Sequence, residues 1–319
     1  MEYRILGDTG ILVSRFGFGS LTLGPLCANL SLAQGSELLY QAFRNGVTFV
    51  DTAEQYSTYP YIRAALDRWD RPSEIVISTK TYGETDREAA WAVEEARIAL
   101  ARNKLDIFLL HEIRNKEDFH ARAGAWRILR EAQANGVINA IGVSTHSAVV
   151  AAWAAEREDI QIIHPLINQS GIGILDGGVT EMLAAIHKAK QNGKGLFGMK
   201  ALGGGALMHH AKDALRWAFT IPELDAVAVG CKDINELRTN LGWLDGEDEP
   251  PESAAVRLLD RNMTFDKVPK CHGCGACVQR CSTGAMTIGK DGTAQWEKEK
   301  CIYCGYCIAA CPWFCLSFC

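Results

Sequence analysis

This chain of 319 residues has no run of about twenty apolar residues, which excludes a membrane-spanning helix. Its net charge is only -5, too mild to argue for nucleic acid or an anionic lipid surface as a partner. Residues 1–20 lack a basic start followed by an apolar stretch, so no secretory signal is expected and a cytoplasmic protein is. A dinucleotide fingerprint is missing too: Gly17-Phe18-Gly19 has no third glycine at the required spacing, which weighs against a doubly wound open sheet. Proline is sparse, and the one pair, Pro250-Pro251, closes the acidic stretch GEDEPP at 246–251. That break, followed by a short helical pattern at 252–262, divides the chain into an expected barrel over residues 1–265 and a cysteine-rich segment over 266–319.

Cysteine is what the sequence has in quantity. Eight of the twelve fall into two copies of one spacing: Cys271, Cys274, Cys277, Cys281, then Cys301, Cys304, Cys307, Cys311 followed by Pro312. Zinc would be satisfied by two C-x2-C pairs and gives no reason for a third cysteine at the same step. Disulfides would need an oxidising compartment. The C-x2-C-x2-C-x3-C run is similar to that of bacterial ferredoxins, which bind 4Fe-4S clusters through it. Spacing alone allows four consecutive ligands per cluster. The resemblance to two-cluster ferredoxins implies crossed sets instead: Cys271, Cys274, Cys277 and Cys311 for one cluster, Cys301, Cys304, Cys307 and Cys281 for the other. The remaining cysteines, Cys27, Cys231, Cys315 and Cys319, fit no ligand spacing.

Upstream, short apolar runs at 16–19, 47–50, 74–78, 106–110, 140–143, 160–167, 196–199 and 226–229 alternate with helical patterns such as 88–101, 123–134, 180–191 and 235–241. Several helices close on Asn-Gly, at 45–46, 135–136 and 192–193. Eight strand-helix units over about 250 residues predict a TIM barrel, α/β in class, with the small cysteine domain appended. A hairpin at 3–15, turning at Asp8-Thr9-Gly10, is expected to cover the barrel bottom.

In such a barrel the side chains just past the strand C-termini face the active site. Those positions hold Asp51, Tyr56, Lys80 and His111. In this order and setting they resemble the catalytic tetrad of the aldo-keto reductases. The resemblance runs over about residues 1–245, through FVDTAEQY at 49–56, STK at 78–80, LLHE at 109–112, GVSTHS at 142–147 and GCKDINELRTNL at 230–241. The tail is similar to that of the iron-sulfur branch of the family. The physical logic stands by itself. A tyrosine is a poor acid at neutral pH, and an ammonium held ~4 Å away favours phenolate by about 4 kcal/mol at an effective dielectric of about 20, before desolvation is subtracted. Tyr56 could then exchange a proton with a carbonyl oxygen as hydride moves at carbon. Asp51 would keep Lys80 charged and fixed, and a neutral His111 would orient the substrate oxygen.

The resemblance further implies NAD(P)(H). Family members hold the carboxamide with a Ser-Asn pair after strand five and a glutamine on strand six; here Ser144 and Thr145 stand at the pair, His164 near the glutamine, and Met199 with Lys200 where an aromatic usually stacks. Gly203, Gly204 and Gly205 offer backbone amides to phosphate, as does the loop at Gly230 and the helix that follows. Glu236 and Asn240 match family positions near adenine. Lys232 suits a 2'-phosphate and Glu236 opposes one, so NAD against NADP stays open, and a flavin with Lys200 near its pyrimidine edge is an alternative occupant. Hydride moves two electrons and a cluster accepts one, so direct transfer between them lacks a gate: the substrate could react in single-electron steps, a flavin could replace or accompany the nicotinamide, or the clusters could be structural. The leading expectation is a carbonyl or alcohol substrate, with the clusters linked to a redox protein. The rival expectation is an electron-transfer module for which the barrel is a scaffold.

Overall fold

Period-two alternation decides which residues of each strand enter the barrel and which lie under the helices. The computed structural model describes residues 1–247, 263–265, 271–281, 283–301, 307, 310–311 and 315–318; the expected helix at 252–262 lies outside them. The strands are β1 (Tyr3–Ile5), β2 (Leu12–Ser14), β3 (Phe16–Gly19), β4 (Phe49–Asp51), β5 (Val76–Thr81), β6 (Leu105–Leu110), β7 (Ile138–Thr145), β8 (Ile162–Pro165), β9 (Gly195–Gly198), β10 (Ala226–Val229), β11 (Met263–Phe265), β12 (Met286–Ile288), β13 (Ala294–Trp296) and β14 (Leu316–Phe318). The helices are α1 (Leu32–Arg44), α2 (Tyr59–Leu66), α3 (Asp86–Leu100), α4 (Lys116–Ala121), α5 (Ala123–Ala134), α6 (Ala148–Ala155), α7 (Val179–Gln191), α8 (Ala211–Thr220), α9 (Ile234–Leu244) and α10 (Ala276–Arg280).

Strands β3 to β10 form a closed parallel barrel, with β10 returning to pair β3. This is the expected TIM barrel. Inward residues Phe49, Ile107, Leu109, Ala140, Ile162, Phe197 and Ala226 make one interior cluster, with Phe49 edge-on to Phe197 at 5.0 Å. Outward neighbours Val50, Phe108, Leu110, Ile141, Val143 and Ile163 pack under the helices. The β1–β2 hairpin adds fully buried Leu6 and Val13 to the interior cluster and so stoppers the lower end, each side chain contributing about 1.5–3 kcal/mol by burial. At Gly142 a Cβ would lie 1.9 Å from the Ile162 carbonyl oxygen, so only glycine permits β7 to meet β8 there.

Local chemistry sets the helix ends. Ser31 with Gln34 caps α1, and Thr85 with Glu88 caps α3, each side chain bonding the other's backbone amide. After α1, α5 and α7 the chain turns through Gly46, Gly136 and Gly193 at φ of 84°, 72° and 70°, a left-handed conformation that glycine adopts without strain.

In the C-terminal segment β12 pairs with β13, and β11 pairs with β14, a pairing that a division at residue 266 would cut. Among the described residues no helix is long and apolar enough to cross a membrane.

Candidate active site

At the upper end of the barrel the inward parity no longer falls on apolar residues. Asp51 ends β4, Lys80 lies near the end of β5 and His111 follows β6, while Tyr56 sits on a short turn after β4; all four are at most 5 % exposed. Lys80 Nζ lies 2.7 and 2.8 Å from the two Asp51 carboxylate oxygens and donates to the Thr52 carbonyl at 2.7 Å. The same ammonium stands 5.1 Å from the centre of the Tyr56 ring, and the Tyr56 hydroxyl is 3.4 Å from His111 Nε2. Burial would raise the Asp51 carboxyl, but the Lys80 ammonium beside it opposes this, and Asp51 stays below the usual carboxylate range. Burial drives His111 well below the ordinary histidine value, assisted by the charge of Lys80, so its ring is neutral near pH 7.

The supporting loops are tied down. Glu54 accepts from the Thr81 hydroxyl and the Tyr82 amide, both at 2.9 Å, fastening the turn that carries Tyr56 to the end of β5. Buried Arg122 donates to the His111 carbonyl at 2.9 Å while paired with Asp118. Glu112, next to His111, has φ of 53°, a left-handed backbone that costs a non-glycine residue energy and marks the rim of this site, as does Lys200 at 59°.

The residues expected around a nicotinamide are placed differently from one another. The Ser144 hydroxyl accepts from the Glu112 amide at 2.8 Å, and Thr145 Oγ1 donates to the Ile113 carbonyl at 2.7 Å, so both hydroxyls hold the loop after β6. His164 points inside the barrel: Nδ1 lies 2.5 Å from the Phe197 carbonyl, the ring stacks on Phe197 at 3.9 Å, and Nε2 is 3.7 Å from Asp51. Met199 is buried and bridges to Leu166, with Lys200 following. Gly203, Gly204 and Gly205 form a turn entirely at positive φ, and a Cβ on Gly205 would meet nothing within 4 Å, which leaves backbone open to a ligand. Gly230 packs so closely that a Cβ would lie 2.3 Å from Thr22. Lys232 Nζ is paired with Glu236 at 3.1 Å, and Asn240 donates to Cys231 Sγ at 3.4 Å.

Three cysteines of the first run, Cys271, Cys274 and Cys277, line a small cavity together with Cys311 of the second run and Cys315. Backbone amides point at the sulfurs: Ala294 and Gly273 to Cys271 at 3.3 and 3.5 Å, Ala285 to Cys281 at 3.1 Å, Cys315 to Cys311 at 3.3 Å. Such donors stabilise thiolates, and this donor set fits a 4Fe-4S cluster. Among the described residues no group of three or more His, Cys, Asp or Glu side chains converges on a single metal ion. Of the second expected set, Cys281, Cys301 and Cys307 are described and Cys304 lies outside the described residues.

Residues 15–213 match the aldo/keto reductase family, well over half of the chain. The chain belongs to that family. Residues 262–312 match a 4Fe-4S dicluster domain, so this aldo/keto reductase carries an iron-sulfur domain at its C-terminus. Among curated relatives, the thiosulfate reductase electron transfer subunit PhsB of Salmonella typhi is 35% identical over 89 residues, 27% of this chain and 45% of that subunit. Aldo-keto reductase YhdN of Bacillus subtilis is 27% identical over 158 residues, 46% of this chain and 48% of its own length. The chain thus spans about half the length of these two relatives. L-galactose dehydrogenase of Arabidopsis thaliana is 22% identical over 255 residues, covering 76% of this chain and 78% of that enzyme. In fold, the chain is similar to aldo-keto reductase AKR11C1 from Bacillus halodurans (holo form), with a TM-score of 0.64, 17% identity and coverage of 77% and 91% of the two chains.

Two side chains at the mouth of this aldo/keto reductase, Tyr82 and Arg280, were not singled out by sequence. Tyr82 stacks on His111 at 4.2 Å and donates to Glu112 Oε2 at 2.7 Å. Glu112 Oε1 in turn lies 3.7 Å from His146 Nδ1, both buried. Tyr82 had a signal: it shares the parity of Lys80, two residues earlier. Arg280 had none, since its approach to Tyr82 spans nearly two hundred residues of sequence.

Proposed function

We propose that this protein interconverts a carbonyl compound and an alcohol with NAD(P)(H), with Tyr56 as the proton donor and acceptor, and that its C-terminal domain holds two 4Fe-4S clusters that exchange electrons with a redox partner protein. The observation that carries the reading is the buried Lys80–Asp51 ion pair beside Tyr56 and His111 at the open end of the barrel. Asp51 keeps the ammonium charged against the cost of burial, and the ammonium favours the phenolate that remains once Tyr56 has given its proton to the substrate oxygen. His111, neutral, is within reach of the same oxygen and can donate to it as negative charge develops. The nicotinamide, when bound, supplies or accepts the hydride, and the clusters supply single electrons.

For the cofactor, the Gly203–Gly205 turn is the favoured phosphate contact. Lys232 is neutralised by Glu236, and Asp233 accepts from the Asn235 and Glu236 amides at the start of α9. Two carboxylates there disfavour a 2'-phosphate, so NAD(H) is the preferred form. Cluster ligands in this reading are Cys271, Cys274, Cys277 with Cys311, and Cys301, Cys304, Cys307 with Cys281. The deciding experiment uses anaerobically purified, reconstituted protein: NADH or NADPH oxidation against a panel of aldehydes and ketones. No binding and no oxidation with any of them would remove the hydride-transfer reading and favour a barrel that is only a scaffold for the clusters.

A further inference from the structure

Helix α10 brings the C-terminal domain onto the rim of the barrel. Its last residue, Arg280, lays its guanidinium over Tyr82 at 3.8 Å from the ring centre, and Tyr82 in turn stacks on His111. Arg114, in the loop that follows His111, donates through Nη1 to the Gln279 carbonyl at 2.6 Å, which satisfies one of the orphan carbonyls at the end of α10. Arg114 thus holds the residue next to Arg280, beside the Tyr82–His111 stack. Neither arginine is fully used. Among the described residues the Arg280 guanidinium makes no hydrogen bond or ion pair, although the side chain is half-buried, and Arg114 Nη2 is buried without a partner. A buried donor such as Arg114 Nη2 is nearly always satisfied, and a guanidinium fork such as that of Arg280 matches the two oxygens of a carboxylate. The Glu112 carboxylate on the same rim accepts from the Tyr82 hydroxyl.

We propose that Arg280, with Arg114 beside it, anchors a carboxylate of the substrate, so that the compound turned over at Tyr56 is an oxo acid or the corresponding hydroxy acid. Tyr82 stands between Arg280 and His111, and the anchor is therefore two ring spacings from the group that orients the carbonyl oxygen. Carbonyl and carboxylate are separated by several carbons, which favours a 4- or 5-oxo acid over a 2-oxo acid. The cluster domain then contributes a specificity residue to the barrel's site. The inference rests on the catalytic reading only for where the carbonyl lies.

The test measures binding and needs no turnover. Calorimetric titration of the cluster-loaded protein compares pyruvate, 4-oxopentanoate and 5-oxohexanoate, each against its primary amide. The expected result is a preference of about tenfold or more for the longer acids over their amides, about 1.4 kcal/mol, with little preference for pyruvate. Arg280→Met should abolish that preference with the visible cluster absorbance unchanged, and Arg114→Met should reduce it. Equal binding of acids and amides by the unaltered protein overturns the proposal, as does an Arg280→Met protein that keeps the preference. Should Arg280→Met assemble clusters poorly, Arg280→Lys, with the charge but not the fork, is expected to retain a reduced preference. Acid preference without any turnover sinks the catalytic reading and leaves the anchor; turnover of neutral ketones without acid preference does the reverse.

Discussion

His164 faces Asp51 across 3.7 Å while its other ring nitrogen lies 2.5 Å from the Phe197 carbonyl. A carbonyl only accepts, so Nδ1 carries the proton and the neutral ring turns Nε2 toward the carboxylate. Burial, opposed in part by Asp51, lowers this histidine, and burial lowers His111 and His146 further, from an ordinary value of 6.5. The unfolded chain therefore binds protons at these three positions near pH 6.5 while the folded one does not. Stability contributed by the neutral rings is present above 6.5 and is lost as pH falls below it. Urea midpoints measured from pH 8 downward should drop through this window, and His146→Phe should flatten the slope; stability that holds or rises on acidification would contradict the buried, neutral assignment.

Lys80→Met leaves Asp51 charged and unpaired inside the barrel. A loss of about 3–5 kcal/mol is expected from equilibrium unfolding, and the Lys80→Met, Asp51→Leu double variant should recover much of it. If the single variant costs less than about 1 kcal/mol, the ion pair is not buried as described.

Tyr56→Phe removes the proton donor while leaving the ring that packs against His111. Turnover should fall by about 10²–10⁴-fold, with the cluster spectrum and the melting temperature little changed. Unaltered turnover would shift the chemistry to the clusters.

Crossed ligation has a spectroscopic signature. Cys271→Ala and Cys311→Ala should each lose about half of the iron and leave the same residual paramagnetic signal, while Cys281→Ala and Cys301→Ala should share the other one. Consecutive ligation predicts the opposite grouping, Cys271 with Cys281 and Cys301 with Cys311.

Glu236→Gln frees Lys232 from its ion pair and removes a carboxylate from the α9 N-terminus. The ratio of NADPH to NADH efficiency should rise by about tenfold, measured as kcat/KM for each. A ratio that does not move would place the adenosine elsewhere.

The barrel was legible in the sequence because a parallel strand covered on both faces must be apolar along its length, and β3 and β10 fall where the apolar runs do. At β4 the run at 47–50 begins two residues early, since buried Val47 belongs to the approach and Asp51 to the strand. The polar residues that interrupt inward parity, Asp51, Lys80 and His111, gave away the open end. What the sequence hid is orientation set by distant partners. Nothing local says that the Ser144 and Thr145 hydroxyls serve the loop after His111, or that His164 turns to Asp51 and Phe197. Those bonds join segments that meet only once the barrel has closed.

Leu6 and Val13 seal the far end of the cylinder. With the base plugged and the cylinder filled by side chains, only the upper rim is open, and any two molecules that bind there must share one approach.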